Sequence, residues 1–78
     1  MAGNRRYHFY VCLKKVLEDK GMTQKELAEI TGIREATISE IANNSRNVVN
    51  KVHLGKIMDA LNLTDLNDIL VVTVEDRR

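Results

Sequence analysis

The chain has 78 residues, a formal charge of +1, 44% apolar and 29% charged residues, enough for one hydrophobic core and not two. No apolar run approaches the ~20 residues of a membrane-spanning helix. Arg5 and Arg6 are not followed by an uncharged apolar stretch of the length a secretory signal would require. Cys12 is the only cysteine and can form no internal disulfide, which fits a reducing cytoplasm, the compartment expected for this chain.

In chain order, Arg6-Tyr7-His8-Phe9-Tyr10 is open to two readings. Its aromatic residues suit a strand, and it can equally extend the helix that follows. That first helix is expected from about Tyr10 to Asp19, with Leu13, Val16 and Leu17 inward, Lys14 and Lys15 outward, and Gly21 as its stop. Thr23-Gln24-Lys25-Glu26 has the form of a capping box, and Met22 and Leu27 stand at the positions of a hydrophobic staple. Leu27 and Ile30 are expected on the inner face of this second helix, with Lys25 and Glu29 as an outer i, i+4 ion pair. Gly32 can take the left-handed conformation of a helix stop. Ile33, Ile38 and Ile41 then point back at Leu27, and Ala28 is small where two helices would cross. Two helices joined by so short a turn make a helix-turn-helix over 23–42.

Asn43-Asn44-Ser45-Arg46-Asn47 reads as a polar loop. Asn50 can cap a fourth helix with Leu54, Ile57, Met58 and Leu61 inward, and Thr64 can cap a short fifth. Leu70-Val71-Val72-Thr73-Val74 is β-branched and reads as a strand, one able to pair with the amino-terminal stretch or with a second copy of the chain.

Gln24, Ala28, Gly32, Ile33, Ile38 and Ile41 fall in the register of the Cro/CI-type helix-turn-helix proteins, the xenobiotic-response-element family, and the chain resembles that family from roughly Val11 to Leu70. Asn50–Leu61 looks like the family's fourth helix and Leu63–Leu70 like its closing fifth. The resemblance implies an all-α fold. It would be a compact five-helix domain of the lambda-repressor-like kind, single over 1–78 with its core at about 10–70 and a possible short C-terminal strand over the tail 70–78. It further implies sequence-specific binding of double-stranded operator DNA, usually as a homodimer, by a bacterial or prophage transcriptional regulator, expected to be a repressor.

By the matching register, Arg34, Glu35, Ala36, Thr37 and Glu40 at the start of the third helix would face base edges in the major groove. Arginine can donate two bonds to guanine, and Arg34 stands at an N-cap position where Ser or Thr would be the stabilising choice. Glu35 can accept from a cytosine amino group or serve only the helix dipole. Thr37 can touch a thymine methyl or a phosphate. Glu40 would repel phosphates, so it belongs at the groove margin or orients Arg34. By family position Gln24, Asn43, Asn44, Ser45, Arg46 and Lys51 are the expected phosphate contacts.

Charge is uneven along the chain: +3 over 1–20 and 43–56, −2 over 21–42, −3 over 57–78. The positive segments flank the motif, as suits a protein gripping phosphates from the motif's edges. His8, His53 and Cys12 lack any zinc spacing, and no phosphate loop or nucleophile elbow is present. Neither an enzyme nor a cofactor or metal site is expected. The competing class is a protein-interaction module on the same fold, antitoxin-like or anti-repressor, for which Glu35 and Glu40 are the argument.

Overall fold

The computed structural model describes residues 3–76, and within them four α-helices are framed by two strands. The order is β1 (Arg5–Val11), α1 (Leu13–Lys20), α2 (Gln24–Thr31), α3 (Glu35–Ala42), α4 (Lys51–Ala60), a single 3₁₀ turn (Leu66–Asp68) and β2 (Leu70–Asp76). The two strands pair antiparallel from Arg5↔Asp76 to Val11↔Leu70. The fold is therefore α+β, which corrects the all-α five-helix expectation.

Two local causes account for that correction. The segment 63–70 does not become a fifth helix. Asp65, not Thr64, accepts from the Asn67 backbone N–H at 2.9 Å, and Ile69 N–H donates to Leu66 C=O at 3.1 Å, which closes one tight turn. The β-branched run that follows then takes the chain into β2. At the other end, Tyr10 and Val11 belong to β1 rather than α1. Cys12 N–H donates to Ile69 C=O at 2.6 Å beyond the last strand pair, and its backbone (φ −87°, ψ 47°) bends the chain before α1 begins at Leu13.

The helical body follows its sequence signals closely. The Thr23 hydroxyl accepts from Glu26 N–H at 3.1 Å, and Glu26 accepts from Thr23 N–H at 3.1 Å, a complete capping box. Gly21 (φ 66°) and Gly32 (φ 73°) end α1 and α2 in the left-handed region, where a Cβ would be strained. Asn50 caps α4 by accepting from Val52 and His53 N–H.

Leu13, Leu27, Ile38, Ile57 and Ile69 are fully buried, joined by Val11, Val16, Leu17, Ile33, Ala42 and Leu61. Each fully buried aliphatic side chain contributes about 1.5–3 kcal/mol. Leu54, Met58, Ile41, Ala28 and Met22 are half-buried against this core. Ile30 departs from expectation at 60% exposed. The inward arc of α2 is Gln24, Leu27, Ala28 and Thr31 (i, i+3, i+4, i+7), and Ile30 lies more than a quarter-turn from its centre. Among the described residues Lys25 and Glu29 form no ion pair either.

Candidate nucleic-acid interface

The third helix is held by burying Ile38 and Ala42, which turns Ala36, Glu40 and Asn43 (i, i+4, i+7) outward. Its first turn is open. Arg34 is the N-cap residue with extended backbone (φ −61°, ψ 141°), and its side chain caps nothing. The early N–H groups of α3 therefore have no side-chain cap, and Arg34, Glu35 and Ala36 are exposed while Thr37 is half-buried. Glu35 in this turn complements the helix dipole.

The far end of α3 is built differently. Asn44 N–H donates to Ile41 C=O and Ser45 N–H to Glu40 C=O, both at 3.1 Å, the paired bonds of a Schellman stop. The left-handed residue there is Asn44 (φ 54°), in a place glycine commonly fills. Its side chain explains the choice. Asn44 Oδ1 accepts from Val11 N–H at 2.7 Å and Nδ2 donates to Val11 C=O at 3.1 Å. The side-chain amide thus acts as a strand partner for the base of β1 and ties it to the end of α3.

Beyond this stop, Arg46 turns back onto α3. Its Nη2 and Nε lie 2.9 and 3.0 Å from the same Glu40 oxygen. Glu40 therefore orients Arg46 rather than Arg34. Asn43 donates weakly to Ser39 Oγ at 3.4 Å, while Ser45 and Lys51 stand exposed. Gln24 is half-buried at the first turn of α2.

A groove of about 720 Å³ runs between α3 and the start of α4, and it brings together Thr37, Glu40, Asn44 and Arg46 of the expected contacts. Arg34, Glu35, Ala36, Gln24, Asn43, Ser45 and Lys51 lie outside it. Asn47, Asn50 and His53 line it as well and were not singled out from sequence. Asn50 already had a role as a cap, and a helix-start histidine has no motif of its own. Val48 and Val52, 81% and 64% exposed, stand beside these polar groups. Among the described residues there is no cluster of three metal-ligating side chains and no helix long and apolar enough to cross a membrane.

Two helices joined by a short glycine turn, with the first turn of the second helix exposed, have the arrangement in which helix-turn-helix proteins set the second helix's N-terminal residues into the major groove. Comparison with known proteins agrees. The sequence matches the Cro/C1-type helix-turn-helix DNA-binding domain over residues 12–75. Among solved structures the chain is similar to the crystal structure (Form II) of the transcriptional regulator VanUg, with 30% identity, a TM-score of 0.67, and 92% of this chain aligned to 91% of that one. No curated protein matches the sequence significantly. The chain belongs to the Cro/C1-type helix-turn-helix DNA-binding family.

Proposed function

We propose that this protein is a sequence-specific, double-stranded-DNA-binding transcriptional regulator of the bacterial or prophage type, acting as a homodimeric repressor. The observation that carries the reading is the open first turn of α3, where Arg34 takes the N-cap position without capping and stays exposed. Side-chain caps close the starts of α2 and α4 but not of α1 or α3, and an exposed arginine standing where Ser or Thr would add ~1 kcal/mol of capping fits a reading role. In this reading Arg34 contacts guanine, Glu35, Ala36, Thr37 and Glu40 flank it at the base edges, and Gln24, Asn43, Ser45, Arg46 and Lys51 lie against the phosphates. Asn44 would offer the DNA little more than its backbone, because its amide is engaged with Val11. Activity of this kind needs no cofactor and no catalytic step, and it belongs in the cytoplasm with the DNA. The similar VanUg structure, a transcriptional regulator by its description, supports the regulatory role.

A second reading, a protein-interaction module, draws on Glu35 and on Glu40, whose carboxylate neutralises the nearest loop arginine. A salt titration against random duplex DNA separates the two. A DNA binder loses affinity linearly in log–log terms with a slope reporting several phosphates. No binding at low salt sinks the first reading. Selection from a random duplex library then yields the operator, and Arg34→Ala should relax one or two of its base positions, at about 1–3 kcal/mol of lost discrimination.

A further inference from the structure

The two strands form a ribbon with six exposed large apolar side chains, Tyr7, Phe9, Tyr10, Val71, Val72 and Val74, against Ile30 in the helix-turn-helix. Alternation along each strand and the register Tyr7↔Val74 and Phe9↔Val72 put Tyr7, Phe9, Val72 and Val74 on one face. They are 54%, 64%, 51% and 54% exposed. At the ribbon's base the same face continues into Val11 and Leu70, which enter the core. At its tip it ends on Arg5 and Asp76, paired at 3.9 Å. The opposite face is polar, carrying Arg6, His8, Thr73 and Glu75 around Tyr10 and Val71. The molecule measures 46 × 21 × 19 Å, as expected if seven-residue strands, about 23 Å long, run out from the helical body.

We infer that this apolar face is the surface on which a second copy of the chain docks, ribbon on ribbon, and the inference rests on the homodimer reading above. A two-stranded ribbon with one apolar face is marginal alone and calls for a cover. Nucleic acid does not fit, because the face's one cation, Arg5, is paired with Asp76 and the rest is uncharged. A second copy does. A two-fold axis lying across the strands sets the Tyr7 and Phe9 rings over the same rings of the other copy, where offset aromatic packing is favourable. The same operation sets Val72 and Val74 over their counterparts. The face brings one charge of each sign, so self-association adds no net repulsion. The area removed from water is on the order of 1,000 Å² over both copies, the lower bound of a specific contact. The ribbon is tied to the recognition helix through Asn44 and Val11, so a contact there also fixes how the two α3 helices are spaced.

Sedimentation equilibrium of the full chain without DNA tests this independently of DNA binding. The wild-type chain should dimerise in the micromolar range. Phe9→Lys and, nearer the tip, Tyr7→Lys should each weaken dimerisation at least about 30-fold at unchanged helical circular dichroism, whereas Thr73→Lys on the polar face should not. A monomer at 200 µM, on the order of a hundred times that range, or a dimer indifferent to Phe9→Lys and Tyr7→Lys, overturns the proposal. Amide shifts of the wild-type chain on dilution give a reading that needs no variant. Changes centred on residues 7–9 and 72–74 support the face, and changes confined to the helices overturn it. Either overturning result leaves the salt titration free to uphold DNA binding.

Discussion

The helical body and the ribbon of this protein are stabilised by opposite means. In the body, side chains carry the structure: Leu27, Ile38 and Ile57 are wholly buried, and side-chain caps close the starts of α2 and α4. In the ribbon, the backbone ladder of seven residue pairs carries it, while most of the apolar side chains stay in water. The comparison shows where specificity of shape is stored. The body presents α3 at a fixed angle whatever the concentration. The ribbon is ordered by pairing yet has surface to spare, and mass action at that surface adds stability only when a partner is present.

Core truncation is the largest way to break this contrast. Ile38→Ala removes a fully buried side chain between α3 and the rest of the core and should cost about 2–5 kcal/mol in urea unfolding. Phe9→Ala, measured near 1 µM to keep the chain dilute, should cost within about 1 kcal/mol, because its ring is already largely solvated. Equal costs would mean that the ribbon packs more tightly than its exposure indicates.

The seam between the two regions comes next. Asn44→Ala leaves the Val11 N–H and C=O without their side-chain partners and puts a Cβ residue with no compensating bond into a left-handed conformation. The expected cost is about 1–3 kcal/mol. Asn44→Gly relieves the backbone and keeps the hydrogen-bond loss, so it should recover only part. Full recovery by glycine would show that the conformation, and not the tie to β1, is why asparagine stands there. Thr23→Ala is milder at about 1 kcal/mol, since it opens one exposed capping box inside the body and should not touch the ribbon. Native-state hydrogen exchange checks the separation. Asn44→Ala should raise exchange in β1, and Thr23→Ala in the first turn of α2 alone.

Much of the body was legible in the sequence because its signals are local. The capping box at Thr23, the stops at Gly21 and Gly32, the Asn50 cap and the inward Leu and Ile positions each depend on neighbours within a few residues. The exception, Ile30, failed because the inward arc is set by where α3 and α4 lie, not by α2 alone. The ribbon was only half legible. Leu70–Val74 announced a strand, but whether Arg6–Tyr10 would join it was a question of pairing across the whole chain. The fifth helix was expected from family register, and Asp65 together with the β-branched run overrode it. Within the site, Arg34 was readable as an ill-suited cap. The Asn44–Val11 tie, spanning 33 residues, and the Arg46–Glu40 pair across the loop left no local trace.

The smallest effect on stability carries the sharpest information on the DNA side. Glu40 holds Arg46 with two contacts near 3 Å, at side-chain exposures of 40% and 70%. A pair so exposed is worth about 0–1 kcal/mol, so Glu40→Gln should scarcely move the unfolding midpoint. On DNA two effects compete. Losing the carboxylate removes repulsion from nearby phosphates and frees the Arg46 charge. It also removes the contact that points Arg46. An exposed pair constrains its arginine only weakly, so charge should win. Binding of Glu40→Gln to random duplex at low salt should tighten several-fold, while Arg46→Ala loosens it and lowers the salt slope by about one. If Glu40→Gln binds more weakly than wild type, orientation outweighs charge, and the ion pair is a positioning device that sets Arg46 against the backbone. The double variant decides between the two accounts. Under the charge account, Glu40→Gln still tightens binding after Arg46→Ala. Under the positioning account its loss of affinity vanishes once Arg46 is gone.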